Sequence, residues 1–167
     1  MKRTWWAAAV FLLTGGGLLA GCGVQPAGVT DAGQAPTGLA PGVTLYFVDA
    51  HERLQPQFRP TGSLGTIPEA MALLLDGPGS DAPLHTEIAS AGTTKAGAAT
   101  AFDVIRLTVP LTIEDVTPLG IDQIVCTALG LSRQSGESKA TKAQVRFTRP
   151  TPESDQERTC PLISPAG

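Results

Sequence analysis

Leu19-Ala20-Gly21-Cys22 limits what can fold more than any other stretch, because it takes the first 21 residues out of any domain. Lys2 and Arg3 give a positive start, and residues 5–19 form an apolar run broken by Gly15, Gly16 and Gly17. The run is roughly 15 residues, short of the ~20 a membrane-spanning helix needs. It ends on small residues before a cysteine, the pattern of a lipoprotein signal that is cleaved there while the cysteine thiol is acylated. A retained transmembrane anchor is the alternative, but no charge cluster follows the run. Cys22 is therefore expected to start the mature chain and carry its lipid. The protein would sit on the extracytoplasmic face of the cell membrane, held by acyl chains whose buried CH₂ groups contribute ~0.8 kcal/mol each.

That cleavage removes two basic residues, leaving ten Lys and Arg against fifteen Asp and Glu. A mildly acidic protein without a basic stripe is poorly suited to nucleic acid. Residues 22–41 are rich in Gly, Pro, Ala, Thr and Gln and show no apolar period, so they read as a flexible tether. A single domain of about 120 residues remains, 42–162, followed by a tail at 163–167. One Tyr and five Phe in the whole chain put most of the core on Val, Ile and Leu.

Within the domain, Val43-Thr44-Leu45-Tyr46-Phe47-Val48 is β-branched and aromatic and predicts a buried strand. Residues 53–59 predict a return strand, confined to an edge by Pro56. Thr66-Ile67-Pro68-Glu69 has the spacing of a capping box. Ile67, Ala70, Met71 and Leu74 then share one helical face, and Asp76-Gly77-Pro78-Gly79 ends the helix. A short strand is expected at 84–88 and a longer one at 101–109. Thr117-Pro118 opens a second helix reaching about Leu131, with Ile121, Ile124, Val125 and Ala128 on one face. A last strand is expected at 144–148. Without regular β–α alternation, the pattern predicts an α+β fold: a small mixed sheet with two helices on one face.

Three stretches resemble the GerMN domain of sporulation, spore-germination and envelope lipoproteins. Leu45-Tyr46-Phe47-Val48-Asp49 is similar to its opening strand. Ala70-Met71-Ala72-Leu73-Leu74-Leu75-Asp76-Gly77-Pro78 is similar to its first helix and the LL-x-GP ending. Asp122-Gln123-Ile124-Val125-Cys126-Thr127-Ala128-Leu129 is similar to its second helix. Order and spacing agree over most of 43–147. Two departures are Cys126, at a position often aromatic in the family, and the lack of a clear hairpin before the strand at 101–109. The resemblance implies a non-catalytic module for assembly or protein contact, with a fold similar to the ring-building domains of secretion systems.

The residues give little support to catalysis. His51, in Asp49-Ala50-His51-Glu52, could suggest a metal cluster, but neighbouring turn residues point apart and no second histidine follows at i+4. A solvated turn is the better reading, and His85 reads as a surface residue. Gly62-Ser63-Leu64-Gly65 is one residue short of a nucleophile elbow and precedes a helix cap instead of following a strong strand. Glu114-Asp115 reads as a cap. No Walker or dinucleotide fingerprint is present, and neither cofactor nor metal is expected.

Once Cys22 is acylated, Cys126 and Cys160 permit one intramolecular disulfide. At 100° per residue Cys126 lies toward an edge of the apolar stripe of its helix, within reach of a returning tail. Closing that loop of about 35 residues would stabilise the fold by roughly 3–4 kcal/mol. Two independent thiols are the alternative. The sequence therefore predicts a membrane-anchored lipoprotein, not an enzyme, whose domain contacts another envelope protein. A binder of wall fragments or solutes is the second reading. Whether the domain forms rings, pairs or stays single is left open.

Overall fold

The computed structural model describes residues 42–80, 83–136 and 139–163, so Cys22, the signal and the tether lie outside the described residues. The first strand, β1 (Gly42–Val48), is buried along almost its whole length because both of its faces meet core. It turns back at Asp49 into β2 (Leu54–Pro60), an antiparallel partner in which Pro56 faces Tyr46. As expected from Pro56, β2 has no second strand neighbour among the described residues.

Helix α1 (Ile67–Leu75) starts where the capping box places it. The Thr66 N–H donates to Glu69 Oε2 at 2.7 Å, and Thr66 Oγ1 accepts from the Glu69 N–H at 3.4 Å. Ala70, Met71 and Leu74 face the core. Beyond Asp76 the chain leaves the helix through Gly77 at φ +95°, a conformation that costs glycine nothing.

The predicted strand at 84–88 is not formed. His85 makes an isolated bridge to Val48 and Ile88 another to Val116. Between them the Glu87 N–H donates to the side chain of Gln123 at 2.8 Å, so a glutamine stands where a neighbouring strand would be.

The expected long strand at 101–109 is instead a hairpin. Strand β3 (Gly97–Ala101) pairs antiparallel with β4 (Val104–Thr108) across a two-residue turn at Phe102-Asp103. The hairpin missing from the sequence pattern is thus present. Its first strand, GAATA, has Thr100 as its one β-branched residue and no aromatic, so it carries little of the composition that marks strands and takes its conformation from pairing with β4. Strand β5 runs Lys142–Arg146, two residues earlier than expected, and lies parallel to β4. A two-residue strand, β6 (Glu157–Arg158), completes the order β3-β4-β5-β6. The fold is α+β with mixed pairing, as expected, but its strands divide into this sheet and the separate β1–β2 hairpin.

Helix α2 (Pro118–Ser135) is capped by Thr117, whose Oγ1 accepts from the Gly120 N–H, and closes at Gly136 with φ +67°. It runs one turn past the predicted end. Ile121, Ile124, Val125 and Ala128 are buried, and the helix packs on both β1 and β5. Gly120 fits close against the preceding chain, where a Cβ would lie 2.3 Å from the Glu87 carbonyl oxygen.

Two buried polar residues of α2 explain how β1 is covered. Gln123 Nε2 donates to the Tyr46 carbonyl at 3.0 Å, and Thr127 Oγ1 accepts from the Tyr46 N–H at 3.1 Å. Gln134 Nε2 reaches the Gly42 carbonyl at 3.1 Å, and His85 exchanges both backbone hydrogen bonds with Val48. Side chains of a helix thus take the place of the missing strand, as buried backbone requires.

Cys126 and Cys160 are joined by a disulfide, with Cα atoms 4.8 Å apart and 34 residues of separation. Both are buried. The bond holds the chain just beyond β6 against α2, the pairing the sequence predicts.

Candidate functional site

The turn at Asp49 is built for itself. Asp49 Oδ1 accepts from the His51 and Arg53 N–H groups, and Oδ2 accepts from Arg53 Nε, Arg53 Nη2 and Gln55 Nε2. Desolvation works against this carboxylate, but the five donors outweigh it and hold its pKa well below the usual range. With its oxygens so committed, Asp49 is a poor metal ligand, and the exposed His51 does not join it in a cluster.

The structure instead gathers Glu52, His85 and Glu87, with one ligand atom from each within 4.8 Å of the others. His85 Nε2 lies 3.1 Å from Glu87 Oε1. An imidazole and two carboxylates are a chemically reasonable donor set for a divalent cation. Glu52 and His85 are substantially solvated, and Glu87 is held by the Gln123 contact to its backbone. Sequence reasoning missed this grouping because Glu52 lies 33 residues or more from His85 and Glu87 and meets them only through the His85–Val48 bridge.

Ser63 and His85 are not brought together. Ser63 shares a small concavity with Thr61, Gly65 and Glu69 that excludes His85. Asp115 caps the short turn at Ile113–Asp115: its Oδ2 accepts from the Thr112 N–H at 2.7 Å and the Thr112 hydroxyl at 2.8 Å.

The most unusual surface lies at the tip of the β3–β4 hairpin. Among the described residues, Phe58 is 49 % exposed and Leu162 52 %, but Phe102 is 100 % exposed. Its backbone is left-handed, φ +56°. The first central residue of a two-residue hairpin turn often needs positive φ, and glycine or asparagine meets that need cheaply. A phenylalanine there costs roughly 1–2 kcal/mol and recovers nothing through burial. Such a violation is expected where a residue serves something other than stability.

Phe102 overlooks a groove of about 780 Å³ lined by Thr66, Ile67 and Pro68, by Ala98 and Thr100 of β3, and by the end of α2. Leu131 and Ser132 form part of its wall, and Lys139 supplies a cation. Ser132 is 3 % exposed, and its Oγ has no hydrogen-bond partner among the described residues. Beside the groove runs the outer edge of β3, with no strand neighbour among the described residues.

No family model and no curated protein matches this sequence. Among solved structures, the tandem GerMN domains of the sporulation protein GerM from Bacillus subtilis match with a TM-score of 0.50 and 12 % identity, over 78 % of this chain and 48 % of that one. At that identity the likeness concerns the fold alone. The fold is GerMN-like. The chain spans about half the length of the tandem structure it matches.

Proposed function

We propose that this protein is a lipid-anchored component of the cell envelope whose GerMN-like domain is a non-catalytic protein-contact module. The exposed Phe102, held in a costly conformation beside a groove of mixed apolar and polar lining, is the observation that carries this reading. The signal-like start, with Cys22 as the lipidated residue, supports the anchor, and a tether over 22–41 would give the domain reach. The matched fold occurs in a sporulation protein, which makes sporulation one setting in which a partner is worth seeking.

A photoreactive phenylalanine analogue at position 102, introduced in the intact cell, tests the contact. Capture of a defined protein by position 102, and not by an analogue at exposed Phe58, is the expected result. No capture at position 102 overturns the reading. Cys22→Ala should release the protein from membranes or leave an uncleaved precursor. Mature protein still fixed in the membrane after that change removes the anchor.

A further inference from the structure

We infer that Glu52, His85 and Glu87 form a zinc site, in which two carboxylates and an imidazole hold one Zn²⁺ between the β1–β2 turn and the segment bridged to β1. None of the three lines the groove beside Phe102, so the site does not rest on the protein-contact reading.

All three residues stand on backbone that is fixed independently of their side chains. His85 exchanges both backbone hydrogen bonds with Val48, at 2.8 and 2.9 Å. The Glu87 N–H donates to Gln123 Oε1 at 2.8 Å, and the Glu87 carbonyl accepts from the Thr117 N–H at 3.2 Å. Glu52 ends the turn organised by the Asp49 carboxylate, and its own N–H donates to the Asp49 carbonyl at 3.1 Å. Among the described residues, Glu52 and Phe102 are the non-glycine positions with positive φ, and Glu52 stands at +57°. Glycine or asparagine meets that conformation more cheaply. A glutamate there points to a use for its side chain.

The charges around the cluster suit a divalent cation. Arg53, beside Glu52 in sequence, is engaged by Asp49 at 2.9 Å. Among the described residues neither Glu52 nor Glu87 forms a salt bridge with a lysine or arginine. The imidazole supplies a nitrogen lone pair, and the two carboxylates balance the ion's charge. Four-coordinate zinc, with bonds of about 2.0–2.2 Å, holds its ligands about 3.3–3.6 Å apart. His85 Nε2 and Glu87 Oε1 already lie 3.1 Å apart, and the three ligand atoms lie within 4.8 Å of one another. Rotation of the exposed Glu52 side chain closes the rest. Calcium and magnesium take oxygen ligands, whereas one nitrogen with two carboxylate oxygens suits Zn²⁺, a water filling the fourth position. The bound ion ties the turn after β1 to residues 85–87 and braces the covered edge of that strand.

Calorimetric titration of the full chain with Zn²⁺ tests the site, in a Cys22→Ala background with Cys126–Cys160 oxidised so that no free thiol competes. One ion per chain should bind, saturating below about 1 mM. Glu52→Gln, His85→Ala and Glu87→Gln should each weaken binding by roughly tenfold or more. His51→Ala, which removes the other histidine, should leave it unchanged. Glu52 is exposed, so Glu52→Gln keeps the fold and remains decisive even where a change at His85 or Glu87 disturbs it. Zn²⁺ should also slow hydrogen exchange at the Glu52 and Arg53 amides. Absence of saturable binding, binding untouched by Glu52→Gln, loss of binding in His51→Ala, or Mg²⁺ or Ca²⁺ bound as tightly as Zn²⁺ overturns the proposal. The capture experiment at position 102 is independent of every one of these outcomes.

Discussion

The outer edges of β1 and β3 lie in one small domain and are treated in opposite ways. On β1, Gly42, Tyr46 and Val48 have backbone groups satisfied by Gln134, by Gln123 and Thr127, and by His85. Two fully buried polar side chains of α2 are committed to that task. On β3 the outer edge has no strand neighbour among the described residues, and the residue at its end is an exposed aromatic in a left-handed conformation. An edge buried in the core must be satisfied, because an unpaired backbone group there costs about 1–3 kcal/mol. An edge facing water carries no such penalty and is free to be selected for contact.

The largest way to disturb this contrast is to cut the disulfide. The sheet that presents the bare β3 edge is fastened at its opposite side by Cys126–Cys160, next to β6. Cys160→Ser should lower unfolding stability by about 3–4 kcal/mol. Chemical denaturation of oxidised protein measures this, and a loss under about 1 kcal/mol would show that the tail is held by packing alone. Next comes Gln123→Leu, which leaves the Tyr46 carbonyl and the Glu87 N–H without their side-chain partner. A loss of about 2–3 kcal/mol is expected. Ala99→Ser on the bare edge should stay within about 0.5 kcal/mol. Equal effects at the two positions would erase the distinction between the edges.

What could be read from the sequence divides along the same line. The capping box at Thr66 and Glu69 is local, with both partners inside one helical turn, so spacing alone reveals it. The disulfide was legible because only two cysteines remain once Cys22 is set aside. Gln123 and Thr127 could not be read this way: their partners at Tyr46 are 77 and 81 residues away, and a polar residue on a helix looks solvated until its neighbour is known. Strand β3 was hidden because glycine and alanine carry little strand preference and β4 imposes the conformation. Glu52, His85 and Glu87 were hidden because a backbone bridge, and no motif, brings them together.

Phe102→Gly sharpens the contrast by separating stability from contact. Relief of the left-handed strain, about 1–2 kcal/mol, exceeds the entropic cost of a glycine, about 0.5–1 kcal/mol. The variant should therefore be more stable by about 0.5–1 kcal/mol when denatured at low protein concentration, yet lose capture at the hairpin tip. A destabilised variant would mean that Phe102 serves the fold and would remove the main support for a contact surface.

The smallest expected effect concerns acid. The caps of β1 are an amide and a hydroxyl, which do not titrate, whereas the groove wall beside β3 begins at a carboxylate cap. Hydrogen bonds from the Thr66 N–H and hydroxyl hold the Glu69 pKa below its ordinary 4.5, against a smaller opposing effect of desolvation. Because the folded value is depressed, the contribution is fully present above the unfolded value and is lost as pH falls through the lower, folded one. As the pH falls through that lower value, the first-turn amides of α1, Ala70 and Met71, should lose protection against hydrogen exchange, while the Tyr46 and Glu87 amides keep theirs. Glu69→Gln should flatten that dependence, since a glutamine fills the same capping position without titrating. Equal acid sensitivity at Tyr46 and Ala70 would mean that the two edges loosen as one unit.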